Sequence, residues 1–312
     1  MRILVTDGMD KTAMAQLREA GHEVVEQFYE PDQLGAALRE FDAVVVRSKT
    51  KVRANHIDEA KGGKLKLIIR GGVGVDNIDV KYAEANGITV KNTPKASSQS
   101  VAELAMGHMF SCARYLSIAG HTMRENKWEK KAYSKGFELS GKTMGVIGYG
   151  RIGQLVGAKG QALGMNVLSV VHRNKPEGCE CETMHFVTMD ELLSQSDIVV
   201  LCAPSGDKPL VDAESLAKMK DGVVIINVSR GSNVDEAALL EALNSGKVAA
   251  AALDVVSTEP IRSDNPLLQA KNCILTPHIS WAPIESRQRI LDCTIRNVRQ
   301  FLSGTPENNV WG

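Results

Sequence analysis

The chain has 312 residues and carries 37 basic and 37 acidic side chains, so its formal net charge is zero. This length allows about two domains of roughly 150 residues each, and the charge balance argues against a general binder of nucleic acids or anionic membranes, which needs a basic excess. The N-terminus lacks a signal-peptide pattern, and no apolar run approaches the roughly 20 residues that span a bilayer. We therefore expect a cytoplasmic protein.

The first hundred residues alternate short apolar runs with segments of helical length. The runs predict strands at 2–7, 22–28, 42–48, 65–71 and 87–92. Strands rich in Val and Ile that are separated by helices indicate a parallel sheet covered on both faces. Pro94 breaks the chain, and a long helix is predicted after it, with Ser97, Ser98 or Ser100 as its cap and apolar positions continuing to Leu116.

A second alternating series begins at residues 142–150 and continues to 272–280, and the last segment, 283–303, has the apolar stripe of a helix. The predicted fold class is therefore α/β, with two doubly wound parallel-sheet domains and a cleft between them for a small ligand. We assign a flavodoxin-like substrate domain to 1–96 plus 283–312 and a Rossmann dinucleotide-binding domain to 97–282.

The segment GYGRIG forms a GxGxxG motif between a strand-like run and a helical run, which is the context that this motif requires. Gly148 permits the tight turn, Gly150 lets the backbone approach a pyrophosphate, and Gly153 lets helix and strand pack closely. Arg151 and Ile152 complete the motif at the start of the helix, where N–H groups face the phosphates. The motif predicts a dinucleotide cofactor.

The choice between NAD and NADP depends on the end of the second strand of this series. An acidic residue about 20 residues after the motif normally holds the ribose of NAD, but here His172 and Arg173 follow the strand and no acid is present. A guanidinium at Arg173 would pair with the 2′-phosphate of NADP; the alternative is that both residues are solvated loop cations. The prediction is NAD or NADP, with NADP slightly favoured.

No metal site is predicted. Cys179 and Cys181 form a CxC in a polar stretch, but only His185 lies near them in sequence, so a tetrahedral ligand set is incomplete. Six cysteines in a chain of this size do not indicate a disulfide framework.

Three further stretches follow predicted strands of the second series. They contain Arg230 in SRG, Asp254 followed by Glu259 in TEP, and His278 in TPH. Together with GYGRIG, and in this order, they resemble the D-isomer-specific 2-hydroxyacid dehydrogenase family over nearly the whole chain. The resemblance implies hydride transfer between a nicotinamide cofactor and a D-2-hydroxy acid.

The chemistry of that reaction explains the residue types. Reduction of a 2-oxo acid needs a proton donor at the carbonyl oxygen, and His278 suits this role because imidazole titrates near neutrality. Glu259 would bind the second ring nitrogen and stabilise the imidazolium, and Arg230 would hold the substrate carboxylate and polarise the carbonyl. By the resemblance, cofactor contacts are also expected at Ala203, Pro204, Val228 and, at the nicotinamide end, Asp254.

Two arginines bear on the substrate. Arg47 and Arg70 each end a predicted strand of the first domain, and their segments resemble the phosphoglycerate-dehydrogenase branch, in which such arginines bind a phosphate. Two guanidinium groups near one cleft favour a dianion, and the loop Gly72-Val73-Gly74 would offer N–H groups to a carboxylate. Trp281, another expected substrate contact, instead resembles glycerate and hydroxypyruvate reductases.

The leading hypothesis is reversible oxidation of D-3-phosphoglycerate to 3-phosphohydroxypyruvate, the entry to serine synthesis, by a short form without a C-terminal regulatory domain. The runner-up is reduction of glyoxylate or hydroxypyruvate with NADPH. A dinucleotide-sensing corepressor shares the fold, but an intact set of Arg230, Glu259 and His278 argues against it. We expect a small, phosphorylated 2-hydroxy or 2-oxo acid as partner, no nucleic acid or membrane and, by the resemblance, a homodimer.

Overall fold

The computed structural model describes residues 1–170, 178 and 181–304. The chain divides into two compact units, Met1–Ser97 with Trp281–Gly312, and Ser98–Ser280. Each unit is built on its own all-parallel sheet with an apolar core on either face. The predicted α/β class with two doubly wound sheets is confirmed.

The first unit starts with a five-stranded sheet whose strands alternate with helices. In chain order these elements are β1 (Arg2–Val5), α1 (Lys11–Glu19), β2 (Glu23–Glu26), α2 (Pro31–Leu38), β3 (Ala43–Val46), α3 (Ala54–Ala60), β4 (Leu67–Arg70), α4 (Val80–Ala85) and β5 (Thr89–Asn92). The strand order β2-β1-β3-β4-β5 is the flavodoxin-like order. All five predicted strands are present.

Burial on both faces explains why these strands are uniformly apolar. Leu4 and Val44 belong to the core on one face, whereas their chain neighbours Ile3 and Val45 belong to the core on the other. Successive strand residues point to opposite faces of the sheet. Because both faces are covered, a polar residue on either face would lose contact with water. The carboxyl ends of the strands are therefore where charged side chains emerge.

The second unit is a seven-stranded sheet preceded by two helices. Its elements are α5 (Ser98–Arg114), α6 (Leu116–Arg124), β6 (Thr143–Ile147), α7 (Arg151–Ala162), β7 (Asn166–Ser169), β8 (Met184–Phe186), α8 (Met189–Gln195), β9 (Ile198–Leu201), α9 (Ala213–Lys218), β10 (Val223–Asn227), α10 (Glu236–Ser245), β11 (Val248–Leu253) and β12 (Cys273–Leu275). The order β12-β11-β10-β9-β6-β7-β8 is the Rossmann order with one added edge strand. Ligands bind such sheets at the carboxyl edge near the strand pair β6–β9, where the order reverses.

The predicted long helix after Pro94 is interrupted. Helix α5 ends at Arg114 because Tyr115 adopts a left-handed conformation with φ 57°, and α6 begins at Leu116. The apolar stripe through Leu116 therefore spans two helices, and the side chain of Leu116 is exposed.

Helix α11 (Ile284–Leu302), which the apolar stripe at 283–303 predicted as a helix, lies in the first unit. Leu291, Ile295 and Val298 are buried in the core that also contains Ile3. Trp281, which the sequence boundary assigned to the second domain, also belongs to the first unit. Among the described residues, none of the helices contains an apolar stretch that could span a bilayer.

Candidate active site

The glycine loop lies between β6 and α7 at the carboxyl edge of the second unit's sheet. Gly148 has φ 97°, and a Cβ there would stand 2.5 Å from the backbone nitrogen of Ala203; a Cβ at Gly153 would overlap the carbonyl oxygen of Gly148. Packing inside the unit therefore requires glycine at both positions. At Gly150, by contrast, a Cβ would meet no protein atom within 4 Å. The open space at Gly150 fits a pyrophosphate lying against the backbone at the start of α7.

The other predicted cofactor residues divide into two groups. Arg151 and Ile152 begin α7, Ala203 and Pro204 follow β9, and Val228 follows β10 with its side chain in the core. The second group, His172 and Arg173, lies outside the described residues. Cys179 of the CxC also lies outside them. Among those that are described, no group of three His, Cys, Asp or Glu side chains is arranged to hold a metal ion.

Glu259 and His278 form a hydrogen-bonded pair. Glu259 Oε2 lies 2.8 Å from His278 Nδ1, and their side chains are 36% and 28% exposed. Burial alone would raise the pKa of Glu259, but the hydrogen bond and charge of His278, the N–H of Val256 and the charge of Arg230 together lower it below its usual value. Because a carboxylate only accepts, His278 Nδ1 carries a proton. His278 Nε2 is therefore the ring nitrogen that Glu259 does not engage.

The loop that carries His278 is fixed by a buried carboxylate. Asp254, 1% exposed at the end of β11, accepts hydrogen bonds from Thr276 Oγ1 (2.7 Å) and the N–H of Ile279 (2.9 Å) on Oδ1, and from the N–H of Ser280 (3.0 Å) on Oδ2. His278 itself has φ 52°, a left-handed conformation that costs a non-glycine residue free energy. The four contacts of this loop with Asp254, including its carbonyl with the N–H of His278 (2.9 Å), hold that conformation.

Arg230 lies in the turn after β10. Asn227 organises this turn, accepting from the N–H and Oγ of Ser229 and donating to the carbonyl of Arg230 at 2.7 Å. The side chain of Arg230 donates to the carbonyl of Ser229 at 2.8 Å. A Cβ at Gly231 would overlap the backbone of Val256, so glycine is what lets this turn approach the loop that leads to Glu259. Arg230, Glu259 and His278 thus follow three neighbouring strands, β10, β11 and β12.

The first unit carries the two arginines predicted to bind substrate. Val46 pairs with Arg70 across β3 and β4, so Arg47 and Arg70 emerge at the same edge of the sheet. The guanidinium carbon of Arg47 stacks 3.4 Å from the ring centroid of Trp281, a cation–π contact. The guanidinium of Arg70 lies against Gly72, where any Cβ would overlap it.

Arg47 and Trp281 line a cavity of about 240 Å³ within the first unit, together with Arg287 of α11, a residue that sequence reasoning missed. Burial and the charge of Arg287 lower the pKa of Arg47 against the opposing effect of Asp7. The Asp7 carboxylate also accepts from the N–H of Arg47 (2.7 Å) and the N–H of Thr50 (3.0 Å), so it is engaged by the loop after β3. Asp10 caps α1. The cavity thus combines two guanidinium groups with acids that are already hydrogen-bonded.

The predicted anion loop, Gly72-Val73-Gly74, is held by its own unit. The carbonyl of Val73 accepts from Asn92 Nδ2 at 2.7 Å, and the N–H of Gly72 donates to the carbonyl of Arg70 at 2.9 Å. Of the three amides predicted to hold a carboxylate, the first therefore has a partner in the chain. The N–H groups of Val73 and Gly74 are the remaining candidates.

Fold and site together define a dinucleotide-dependent oxidoreductase. The carboxyl edge of the Rossmann sheet carries the glycine loop, Arg230 and the hydrogen-bonded pair of Glu259 and His278. Residues 106–280 match the family model for D-isomer specific 2-hydroxyacid dehydrogenase, NAD binding domain. The chain belongs to this family of enzymes, which transfer a hydride between a nicotinamide cofactor and a 2-hydroxy acid.

Similar proteins differ in their substrates. The chain is 44% identical to a hydroxypyruvate reductase of Thermotoga maritima, over 93% of this chain and 94% of that protein. It is 40% identical to a D-3-phosphoglycerate dehydrogenase of Archaeoglobus fulgidus, over 99% of this chain but 59% of that protein. The structure of D-lactate dehydrogenase from Aquifex aeolicus, complexed with NAD and lactic acid, superposes with a TM-score of 0.89 at 28% identity and covers 100% of this chain and 99% of that one.

Proposed function

We propose that the protein reduces 3-phosphohydroxypyruvate to D-3-phosphoglycerate and catalyses the reverse oxidation, the reaction that enters serine synthesis. The observation that carries the proposal is the cavity that Arg47 and Arg287 share. The charge of Arg287 disfavours the charged form of Arg47, and a dianion such as a phosphate monoester would compensate both guanidinium groups. The relative from Archaeoglobus fulgidus is a phosphoglycerate dehydrogenase by name.

The stack on Trp281 prepares Arg47 for this ligand. An aromatic ring against the face of a guanidinium fixes its plane but leaves the edge of the plane, where the N–H groups point, for two parallel hydrogen bonds to phosphate oxygens. Replacing Arg47 by lysine would lose both the stack on Trp281 and the bidentate geometry.

The reducing step needs a hydride and a proton. A nicotinamide cofactor, when bound, supplies the hydride to C2 of the substrate. Arg230 holds the C1 carboxylate and polarises the carbonyl, and His278 gives its Nε2 proton to the carbonyl oxygen as that oxygen gains negative charge. The carboxylate of Glu259, 2.8 Å from Nδ1, stabilises the imidazolium that exists before the transfer. In the oxidation His278 takes the hydroxyl proton.

Reduction of hydroxypyruvate, or of glyoxylate, is the second candidate. Hydroxypyruvate is the same three-carbon acid without the phosphate, and the Thermotoga maritima relative carries that name. The presence of Trp281 in the cavity lining favours this candidate, because an indole contacts an uncharged substituent more readily than a hydrated dianion.

We propose NADPH as a cofactor used at least as well as NADH. In the sequence, no Asp or Glu follows β7 before Glu177, and the cations His172 and Arg173 stand where an acid would disfavour a 2′-phosphate. Isothermal titration with both reduced cofactors tests this, and a tenfold preference for NADH, about 1.4 kcal/mol, would contradict it.

We also propose a homodimer through the second unit. Helix α6 and the chain after it expose four large apolar side chains: Leu116, Ile118, Met123 and, at 80% exposure, Trp128. Apolar surface of this kind fits burial against a second copy. Analytical ultracentrifugation tests this; a monomer at micromolar concentration would contradict it.

The substrate proposal is tested by kcat/KM for phosphohydroxypyruvate and glyoxylate in Arg47→Ala and Arg287→Ala. A charge-assisted contact is worth about 1.5–3 kcal/mol, so each variant should lose roughly tenfold to a hundredfold on the phosphorylated substrate and far less on glyoxylate, which has no group for the cavity. Arg230→Ala should impair both substrates, because both carry the carboxylate. Arg296→Ala, an exposed change on the same helix as Arg287, is the matched control. Equal losses of kcat/KM on both substrates in Arg47→Ala and Arg287→Ala would show that these arginines are structural and would contradict the proposal.

A further inference from the structure

A buried chain of hydrogen bonds connects Asp254 to helix α5. His108 of α5 is 4% exposed and lies among apolar residues of the core, and its Nε2 is 3.2 Å from Thr276 Oγ1. Thr276 Oγ1 is in turn 2.7 Å from Asp254 Oδ1. The hydride transfer proposed above uses neither His108 nor Thr276, and a histidine in this core has to be explained.

The direction of the hydrogen bonds follows from the groups. A carboxylate only accepts, so the single hydroxyl proton of Thr276 goes to Asp254. The same hydroxyl can then only accept from His108, and Nε2 of His108 must carry a proton. Burial lowers the pKa of His108 and the charge of Asp254 partly opposes this, so the imidazole is the neutral Nε2–H tautomer.

We propose that His108 is a positioning residue, which acts through Thr276 and Asp254 to hold the loop that presents His278 for proton transfer. The inference rests on the proposed function of His278. A hydroxyl that accepts a hydrogen bond becomes a stronger donor, so His108 strengthens the Thr276–Asp254 contact. Asp254 also binds the N–H groups of Ile279 and Ser280, directly after the left-handed His278.

The kinetic test compares two substitutions at one position. His108→Leu removes the donor at similar volume, whereas His108→Gln replaces it with an amide N–H at a similar distance along the side chain. In the reduction direction, His108→Leu should lower kcat about threefold to tenfold, the effect of one neutral hydrogen bond, with KM for the cofactor unchanged. The solvent deuterium isotope effect on kcat should rise, because proton transfer becomes slower. His108→Gln should restore kcat to within about twofold.

A double-mutant cycle tests the route of the coupling. Thr276→Val removes the hydroxyl and keeps the shape; because both hydrogen bonds are lost, kcat should fall at least as far as in His108→Leu. If the two residues act in series, combining both changes should cost no more than Thr276→Val alone. Additive losses would overturn the proposal, and so would a loss of kcat in His108→Leu that His108→Gln does not rescue.

A readout without substrate separates this inference from the proposed function. Hydrogen exchange of the amides of Ile279 and Ser280 should be faster in His108→Leu and in Thr276→Val than in the wild type and His108→Gln. Equal exchange in all four proteins would overturn the positioning role. If Thr276→Val is the only soluble variant, unchanged hydrogen exchange of Ile279 and Ser280 in that variant would also overturn the positioning role. Failure to reduce any 2-oxo acid, with exchange altered as expected, would contradict the proposed function and leave the loop contact in place.

Discussion

Replacing Glu259 by glutamine isolates the charge of the Glu259–His278 pair. The amide oxygen of glutamine still accepts from Nδ1, so the ring orientation is kept while the counter-charge of the imidazolium is lost. A charge-assisted hydrogen bond is worth about 1.5–3 kcal/mol. Because the Glu259 side chain is 36% exposed, we expect the lower end of this range. The lower end of this range corresponds to a change of about tenfold in the rate of reduction, or a shift of about one unit in the pH midpoint of that rate.

The assay is the pH dependence of kcat/KM in both directions between pH 5 and 9. Glu259 has a pKa below its usual value and is ionised throughout this range, so the wild-type pair has its full strength there. In Glu259→Gln, kcat/KM for reduction should fall about tenfold at pH 7.5 and the pH midpoint of this rate should move lower, because the proton-donating imidazolium has lost its counter-charge. Oxidation, which needs neutral His278, should fall less. Asp264→Asn, an exposed acid in the same loop region, is the control. An unchanged midpoint in Glu259→Gln would refute the role of Glu259.

Arg173→Ala should weaken binding of NADPH more than that of NADH, since a 2′-phosphate loses its guanidinium partner; equal losses by calorimetry would exclude this contact. Gly153→Ala should lower the free energy of unfolding by about 1–3 kcal/mol through overlap with the carbonyl of Gly148. Gly150→Ala should leave stability unchanged and weaken cofactor binding about tenfold, or about 1.4 kcal/mol, and the opposite pattern in urea unfolding and fluorescence titration would contradict the glycine-loop assignment. Burial lowers the pKa of His108 below 6.5, so as the pH falls the unfolded chain binds this proton before the folded protein does. The free energy of unfolding should therefore decline below about pH 6.5. His108→Gln should reduce that decline between pH 7.5 and 5.5, measured by urea unfolding.

The sheets were predictable because their signals are local. Apolar runs bounded by turn residues located all five strands of the first unit, and the position of GYGRIG between a run and a helical segment located β6 and α7. The positions of Arg230, Glu259 and His278 after successive strands followed from the same pattern with the family resemblance. The break at Tyr115 was missed because the apolar stripe continues unbroken through a single left-handed residue.

The supporting contacts of the site were not predictable, because they join residues far apart in sequence. His108 and Thr276 are 168 residues apart in the sequence. The helical pattern around His108 does not show whether this histidine hydrogen-bonds a distant loop or only lies on a helix face. Arg287 lies on the polar side of the α11 stripe and reaches the cavity of Arg47 only through the packing of the first unit. For Asp254 the resemblance predicted a cofactor contact, whereas the three hydrogen bonds of its carboxylate to the His278 loop were not predicted.

The central claim, reduction of a 2-oxo acid with an anionic group at C3, is tested most directly by initial rates of the wild-type protein. With NADPH, and separately with NADH, kcat/KM would be compared for 3-phosphohydroxypyruvate, hydroxypyruvate, glyoxylate and pyruvate. A cavity with two guanidinium groups predicts that the phosphorylated substrate exceeds hydroxypyruvate by about tenfold or more, and that added inorganic phosphate inhibits its reduction selectively. A tenfold preference for hydroxypyruvate, about 1.4 kcal/mol in the opposite sense, would contradict the claim.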